Sequence, residues 1–274
     1  MLSFIAMAFA VASYAQGPVT PSTANSIGTP DKGSVTGFSG FNTASSIQSG
    51  NFNLSEIKQD ANGATGNLAA TKQTGNMSDV GIRQINSENT AYVTQSGGKK
   101  GRTSPENQFY VRQEQSMGKP GNTLTGVQQG SNNEASTSQY GSGNDMYVKQ
   151  DGSDNNIGRV GSSQINGDRT DRENVVNNEF GARQKGKDNE AVLTQTGSEN
   201  SIMFLQDGNE NYGKVDQDGK GHDANLKQAG NNNWAFINQD GMGQEAVVRQ
   251  LQNNDRANVQ QAGDSNNALI IQNN

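Results

Sequence analysis

Residues 189–243 fall into five lines of eleven: NEAVLTQTGSE, NSIMFLQDGNE, NYGKVDQDGKG, HDANLKQAGNN and NWAFINQDGMG. The same interval holds across nine glutamines: Gln184, Gln195, Gln206, Gln217, Gln228, Gln239, Gln250, Gln261 and Gln272. A period kept through eight intervals without slippage means that one structural unit has been copied and stacked.

Aligned on its glutamine, each unit alternates. Six residues earlier stands Asn178, Asn189, Asn200, Asn211, Asn233 or Asn266, with His222, Gln244 and Asp255 as polar exceptions. Four earlier the residue is mostly small, as in Ala191, Ala224, Ala235, Ala246, Ala257 and Ala268. Two earlier it is aliphatic or aromatic, as in Leu193, Phe204, Val215, Ile237 and Ile270. Successive side chains of a strand point to opposite faces, so Asn, Ala, Val and Gln share one face. The intervening positions hold Glu190, Lys214, Asp216, Lys227, Glu245, Arg249 and Arg256, which belong in water. Period two with one wet face predicts a β-strand.

Two residues past the glutamine comes Gly186, Gly197, Gly208, Gly219, Gly230, Gly241 or Gly263. Asp-Gly pairs such as Asp207-Gly208 and Asp218-Gly219 supply the positive φ of a tight reversal. An eleven-residue period also suits a right-handed helical coiled coil. That alternative fails because a glycine would cost about 1 kcal/mol in every copy, and because the apolar positions alternate.

The unit continues upstream with looser spacing: Asn42 to Gln48, Asn53 to Gln59, Asn67 to Gln73, Ser78 to Gln84, Asn89 to Gln95, Asn107 to Gln113, Asn122 to Gln128, Asn133 to Gln139 and Asn144 to Gln150. A distorted copy ends at Gln164, which makes nineteen candidate strands. Extra residues, among them the Lys99-Lys100-Gly101-Arg102 cluster, Ser116 to Gly121, and Ile165 to Asn177, are expected as loops between a turn and the next asparagine.

Hydrophobic residues make up 30% of the chain and mean hydropathy is -0.84, too little for a core of large side chains. An all-β fold fits this inventory: a β-solenoid of two-strand coils, about 22 residues each, forming two facing parallel sheets in a cross-β stack. Ala and Val/Ile/Leu then pack between the sheets, with Asn and Gln at the rims. Stacking sets like amides about 4.8 Å apart, where each can donate to one neighbour and accept from the other.

This pattern of Asn, five residues, Gln, one residue, Gly closely resembles the curlin repeat of curli subunits, the bacterial functional amyloids. The resemblance spans residues 42–274 and is carried by pairs such as Asn189/Gln195, Asn200/Gln206, Asn211/Gln217, Asn233/Gln239 and Asn266/Gln272. It implies a secreted structural subunit that polymerises with copies of itself into extracellular fibres of a biofilm matrix at the bacterial surface. Its implied partners are a curli nucleator and an outer-membrane secretion pore. The irregular N-terminal half leaves open a principal subunit or a nucleator-type minor one.

The N-terminus fits export. Leu2 to Val11 is apolar and ends in Ala12-Ser13-Tyr14-Ala15, so residues 1–15 read as a signal peptide without its basic n-region, and Gln16 as the mature start. Residues 16–41, rich in Ser, Thr, Gly and Pro, read as a flexible linker before the repeats at 42–274.

No feature points to chemistry. The chain has no cysteine, so disulfides and thiol catalysis are excluded. A net charge of -6 argues against nucleic acid, and no membrane insertion of the mature chain is expected. His222, the single histidine, fills an asparagine slot and reads as a ladder residue rather than a metal ligand. Calcium-binding nonapeptide and EF-hand strings are absent. No catalytic residue, metal site or cofactor is expected. Trp234 and Phe236 point outward from one strand.

The final copy, Asn266, Ala268, Ile270 and Gln272, is complete and carries outward Leu269 and Ile271 as well. An uncovered strand edge offers unpaired N–H and C=O groups to another chain, and a head-to-tail contact that does not close makes a filament. These four residues are the expected assembly edge. A monomeric solenoid that binds a surface or glycan is the alternative, though a repeated outward column is missing.

Overall fold

The structure, a computed structural model, describes residues 32–38, 42–60, 66–97, 107–115, 119–158 and 182–273. The signal-peptide reading, most of the linker, the Lys99 cluster and the copy ending at Gln164 lie outside the described residues.

All regular structure in the described residues is strand. In chain order these are β1 (Lys32–Phe38), β2 (Thr43–Ser49), β3 (Leu54–Asp60), β4 (Leu68–Gly75), β5 (Ser78–Ile85), β6 (Thr90–Gly97), β7 (Asn107–Gln115), β8 (Thr123–Ser131), β9 (Glu134–Ser142) and β10 (Asp145–Ser153). There follow β11 (Asn156–Ile157), β12 (Ala182–Lys187), β13 (Glu190–Ser198), β14 (Ser201–Asn209), β15 (Tyr212–Lys220), β16 (Asp223–Ala229), β17 (Trp234–Met242), β18 (Glu245–Gln250), β19 (Arg256–Asp264) and β20 (Asn267–Gln272).

Successive strands alternate between two parallel sheets. The first runs β1-β3-β5-β7-β9, then β11 and β12 on one shared level, then β14-β16-β18-β20; the second runs β2-β4-β6-β8-β10-β13-β15-β17-β19. The chain is therefore an all-β solenoid of two-strand coils, and in the regular part equivalent residues stand 22 apart. Register is strict, with Gln217 opposite Gln239 and Gly219 opposite Gly241.

From β2 onward the strands turn small and aliphatic residues inward. Ala224, Ala235, Ala246, Leu226, Ile237 and Val248 are all 0% exposed. One coil contributes only a few such side chains, so the core is a thin column that closes when coils stack. Glu190, Lys227, Glu245, Arg249 and Arg256 face out and are exposed, while Lys214 and Asp216 are half-buried.

Three features depart from the sequence reading. The stack begins earlier, because β1 lies within the stretch read as linker and pairs in parallel with β3. Its alternation is Gly33, Val35, Gly37, with glycine where other copies carry glutamine, so it lacks the residue that marks the repeat.

The long insertion, expected between a turn and an asparagine, opens in mid-strand. β11 pairs with β9 and β14 through Asn156 and Ile157, and β12 completes the same level from Ala182 onward. The ladder slot assigned to Asn178 is held by Asn155, whose N–H donates to Asn133 Oδ1 at 3.3 Å. Asn178 lies outside the described residues. The stack runs through this level unbroken, with Gln139 and Gln206 on either side of Gln184.

The outer face is also not wet throughout. On β5, β7 and β9 the outward Asp79, Tyr110, Ser136 and Ser138 are buried, and the Tyr110 hydroxyl donates to Asp79 Oδ2 at 2.9 Å. Arg112 and Arg183 flank the Tyr140 ring at 5.5 and 5.4 Å.

Candidate assembly edge

Two glutamine columns run along the stack, one in each sheet, beginning at Gln48 and Gln59. In the second sheet Gln48, Gln73, Gln95, Gln128, Gln150, Gln195, Gln217, Gln239 and Gln261 bond in sequence, Nε2 to Oε1, at 2.7–3.1 Å. In the first, Gln59, Gln84, Gln113, Gln139, Gln184, Gln206, Gln228, Gln250 and Gln272 do the same at 2.8–2.9 Å. Every amide donates toward the C-terminal end.

From Gln59 to Gln272 the amide also donates to a backbone carbonyl of the facing sheet. Gln217 Nε2 donates to Gln239 Oε1 at 2.9 Å and to Ser201 O at 3.0 Å, while its Oε1 accepts from Gln195 at 3.0 Å. A 0% exposed amide is thus satisfied by its own copies, which removes the usual burial penalty of roughly 1–3 kcal/mol for an unmatched polar group.

Asparagines form a column of opposite sense. Asn211 donates from both its backbone N–H and Nδ2 to Asn189 Oδ1, at 3.1 and 3.0 Å, toward the N-terminal end. Its own Oδ1 accepts the Asn233 N–H at 3.0 Å, and its Nδ2 also reaches Gly230 O at 2.8 Å. His222 keeps this pattern without an amide. Its N–H donates to Asn200 Oδ1, its Nδ1 accepts the Gln244 N–H, and Nε2 lies 3.1 Å from Asp218 O. The ring is 1% exposed, and no cluster able to hold a metal occurs among the described residues.

The turn glycines form a third column, from Gly197 (φ 103°) to Gly263 (φ 92°) in the second sheet and through Gly186, Gly208 and Gly230 in the first. A second left-handed position precedes each asparagine-column residue. It is held by Asp188, Glu199, Glu210, Gly221, Asn232, Gly243, Asn254 and Ser265, with φ between 53° and 68°. Its varied occupants leave no mark in the repeat pattern, although Gly143, Gly221 and Gly243 share it.

At the C-terminal end these columns stop against open edges. β20 pairs with β18 alone and β19 with β17 alone among the described residues. Ala246 and Val248 are 0% exposed, yet their counterparts one level on, Ala268 and Ile270, are only partly buried. Leu269 and Ile271 are 65% and 55% exposed. Gln272 Nε2 donates to Arg256 O at 3.0 Å, leaving the N–H that in lower levels reaches the next glutamine.

Outward columns are electrostatically uneven. Asp223 lies opposite Glu245 on the next level; partial burial of its carboxyl and then the Glu245 charge raise its pKa above the usual aspartate value. A raised folded-state value contributes stability that is full below the unfolded value and is lost as pH rises through the folded one. Asp223→Asn is therefore expected to stabilise the stack at pH 7, by under about 1 kcal/mol for so exposed a group, and to leave it unchanged at pH 3. Denaturant midpoints at the two pH values check this; an equal effect at both would remove the charge argument. Elsewhere on the surface the Trp234 ring stacks on Tyr212 at 6.2 Å beside a groove of about 500 Å³ that Glu210, Arg256 and Asn258 also line.

Against known proteins, the family profile described as curlin associated repeat matches residues 121–157, 186–219, 197–230 and 223–251. These segments cover β8 to β11 and β13 to β18. No curated protein and no solved structure gave a match.

Proposed function

Because this chain is a curlin-repeat protein, of a family that is structural rather than enzymatic and is associated with extracellular curli fibres, we propose that it is a secreted fibre subunit that polymerises head to tail into curli-like amyloid. The observation that carries this reading is the half-uncovered pair Ala268 and Ile270. They occupy core positions and lack one covering layer among the described residues, and a second copy would supply it.

The columns support one polarity. The C-terminal end offers glutamine N–H donors and, as acceptors, Asn266 Oδ1 and the Asp255 carboxylate, and the N-terminal end offers the complementary Gln59 Oε1 and Asn53 N–H. Stacking head to tail continues both columns, whereas two like ends place donor against donor. The partners of this reading are further copies of the chain, a nucleator and an outer-membrane secretion pore, and its setting is a biofilm matrix that adheres to surfaces.

The test is to release residues 16–274 from denaturant and follow thioflavin-T fluorescence and fibre diffraction. Growth with reflections near about 4.8 and 10 Å is expected. A chain that stays folded and monomeric would overturn the reading. That result would favour a surface- or glycan-binding solenoid, for which the Tyr212–Trp234 groove offers aromatic faces beside charged and amide groups.

A further inference from the structure

We propose that β1 is a removable guard on the N-terminal edge, holding on β3 the place that β20 of a second copy takes in the fibre. The inference rests on the polymerisation reading and adds which strands meet.

The phase of the solenoid supplies the first argument. Strands alternate between sheets, so a copy that sets its β2 on β19 necessarily sets its β3 on β20. The groups then match throughout: Gln261 comes opposite Gln48, Gln272 opposite Gln59, and Gly263 opposite Gly50, each in the register of the internal levels. The Asn53 N–H likewise comes to Asn266 Oδ1, as the Ser78 N–H does to Asn53 Oδ1 inside the chain at 3.1 Å. In this arrangement β1 has no place, because its level in the first sheet is β20.

The alternative keeps β1 in the stack, on top of β20. β2 would then stand two strand spacings from β19, about 10 Å, leaving one level of the second sheet empty. The empty level would uncover the apolar column on both sides and cut the Gln261 ladder.

Chemistry of the strands supplies the second argument. In β1, Gly37 stands opposite Gln59, so no side-chain amide there can donate to Gln59 Oε1. Inside the stack Gln84, Gln206 and Gln239 each accept such a bond from the preceding level. In β20, Gln272 has the donor that Gln59 lacks. Exchange of β1 for β20 gains a buried amide bond on the same backbone ladder, so β1 slows spurious pairing of the edge without outcompeting a true partner.

The chain has no cysteine, so single replacements report contacts cleanly. In the β20-on-β3 register Ile271 faces Lys58; in the β20-on-β1 register it faces Thr36. Adjacent strands bring Cα atoms within the disulfide range of about 4.4–6.8 Å. Gly37→Gln, which gives β1 its missing amide, is expected to slow seeded growth about tenfold, the weight of one buried hydrogen bond; unchanged or faster growth would count against the guard. The deciding experiment copolymerises full-length I271C with K58C, and separately with T36C, and oxidises the fibres. Intermolecular I271C–K58C disulfides without I271C–T36C ones are expected. Fibres that yield I271C–T36C disulfides, or neither, would overturn the exchange of strands while leaving polymerisation intact, whereas a chain that forms no fibres overturns both.

Discussion

Gly219→Ala is expected to destabilise the stacked coils by about 4 kcal/mol or more, near the top of the range for single substitutions. Gly219 sits at φ +132°, where L-residues are strained, and a Cβ there would lie 2.0 Å from Gly241 O and 2.9 Å from His222 Nε2. The carbonyl belongs to the next level, held by its own ladder, and cannot retreat without parting β15 from β17. Gly221→Ala is the control. It has φ +68° with nothing within 4 Å, and Glu210 and Asn232 adopt the same conformation one period away, so its cost is about 1 kcal/mol. Denaturant midpoints followed by circular dichroism separate the two. Equal losses would mean that the glycine column is a matter of turn conformation alone and not of stacking contact.

That contrast marks how far the sequence could be read. Gln217 and Gly219 were legible because stacking sets like upon like, so a residue that must meet its own copy recurs at a fixed interval. The two-sheet coil, the turn glycines and the strand face of Trp234 follow from the same constraint. The left-handed position at Glu210 and Gly221 was not legible, since it makes no contact that selects one residue type. The split level failed for a different reason. Asn155-x-Ile157 and Asn178-x-Phe180 both spell the first half of a copy; the regular spacing selects Asn178, whereas the level is completed by Asn156 and Ile157 from across the insertion, which no period encodes. Burial of Tyr110 and Asp79 depends on what packs over an outward face, which alternation does not encode. β1 escaped because it carries Gly37 where the other copies carry the ladder glutamine.

Leu269→Pro is expected to abolish growth from the C-terminal edge while leaving the folded coils nearly untouched. The Glu245 N–H donates to Asn266 O at 2.9 Å and the Leu251 N–H to Gln272 O at 3.1 Å, so the even-numbered backbone groups of β20 face β18. In a parallel strand the alternate residues bond to the other side. The N–H and C=O groups of Asn267, Leu269 and Ile271 therefore point away from the protomer. Proline at 269 removes an N–H that makes no internal bond, and edge strands accept proline at such positions. Its cost to the monomer is within about 1 kcal/mol, but its ring stands where the next strand must approach, and elongation should fall at least about tenfold. Because its N-terminal edge is intact, the variant can still add to a growing end, after which that end presents proline. A small fraction mixed with the parent chain should then halt seeded growth, which Leu269→Ala, with its N–H retained, should not do. Seeded thioflavin-T kinetics give the answer. Parent-like growth of Leu269→Pro, alone or in mixtures, would place the growing edge somewhere other than β20.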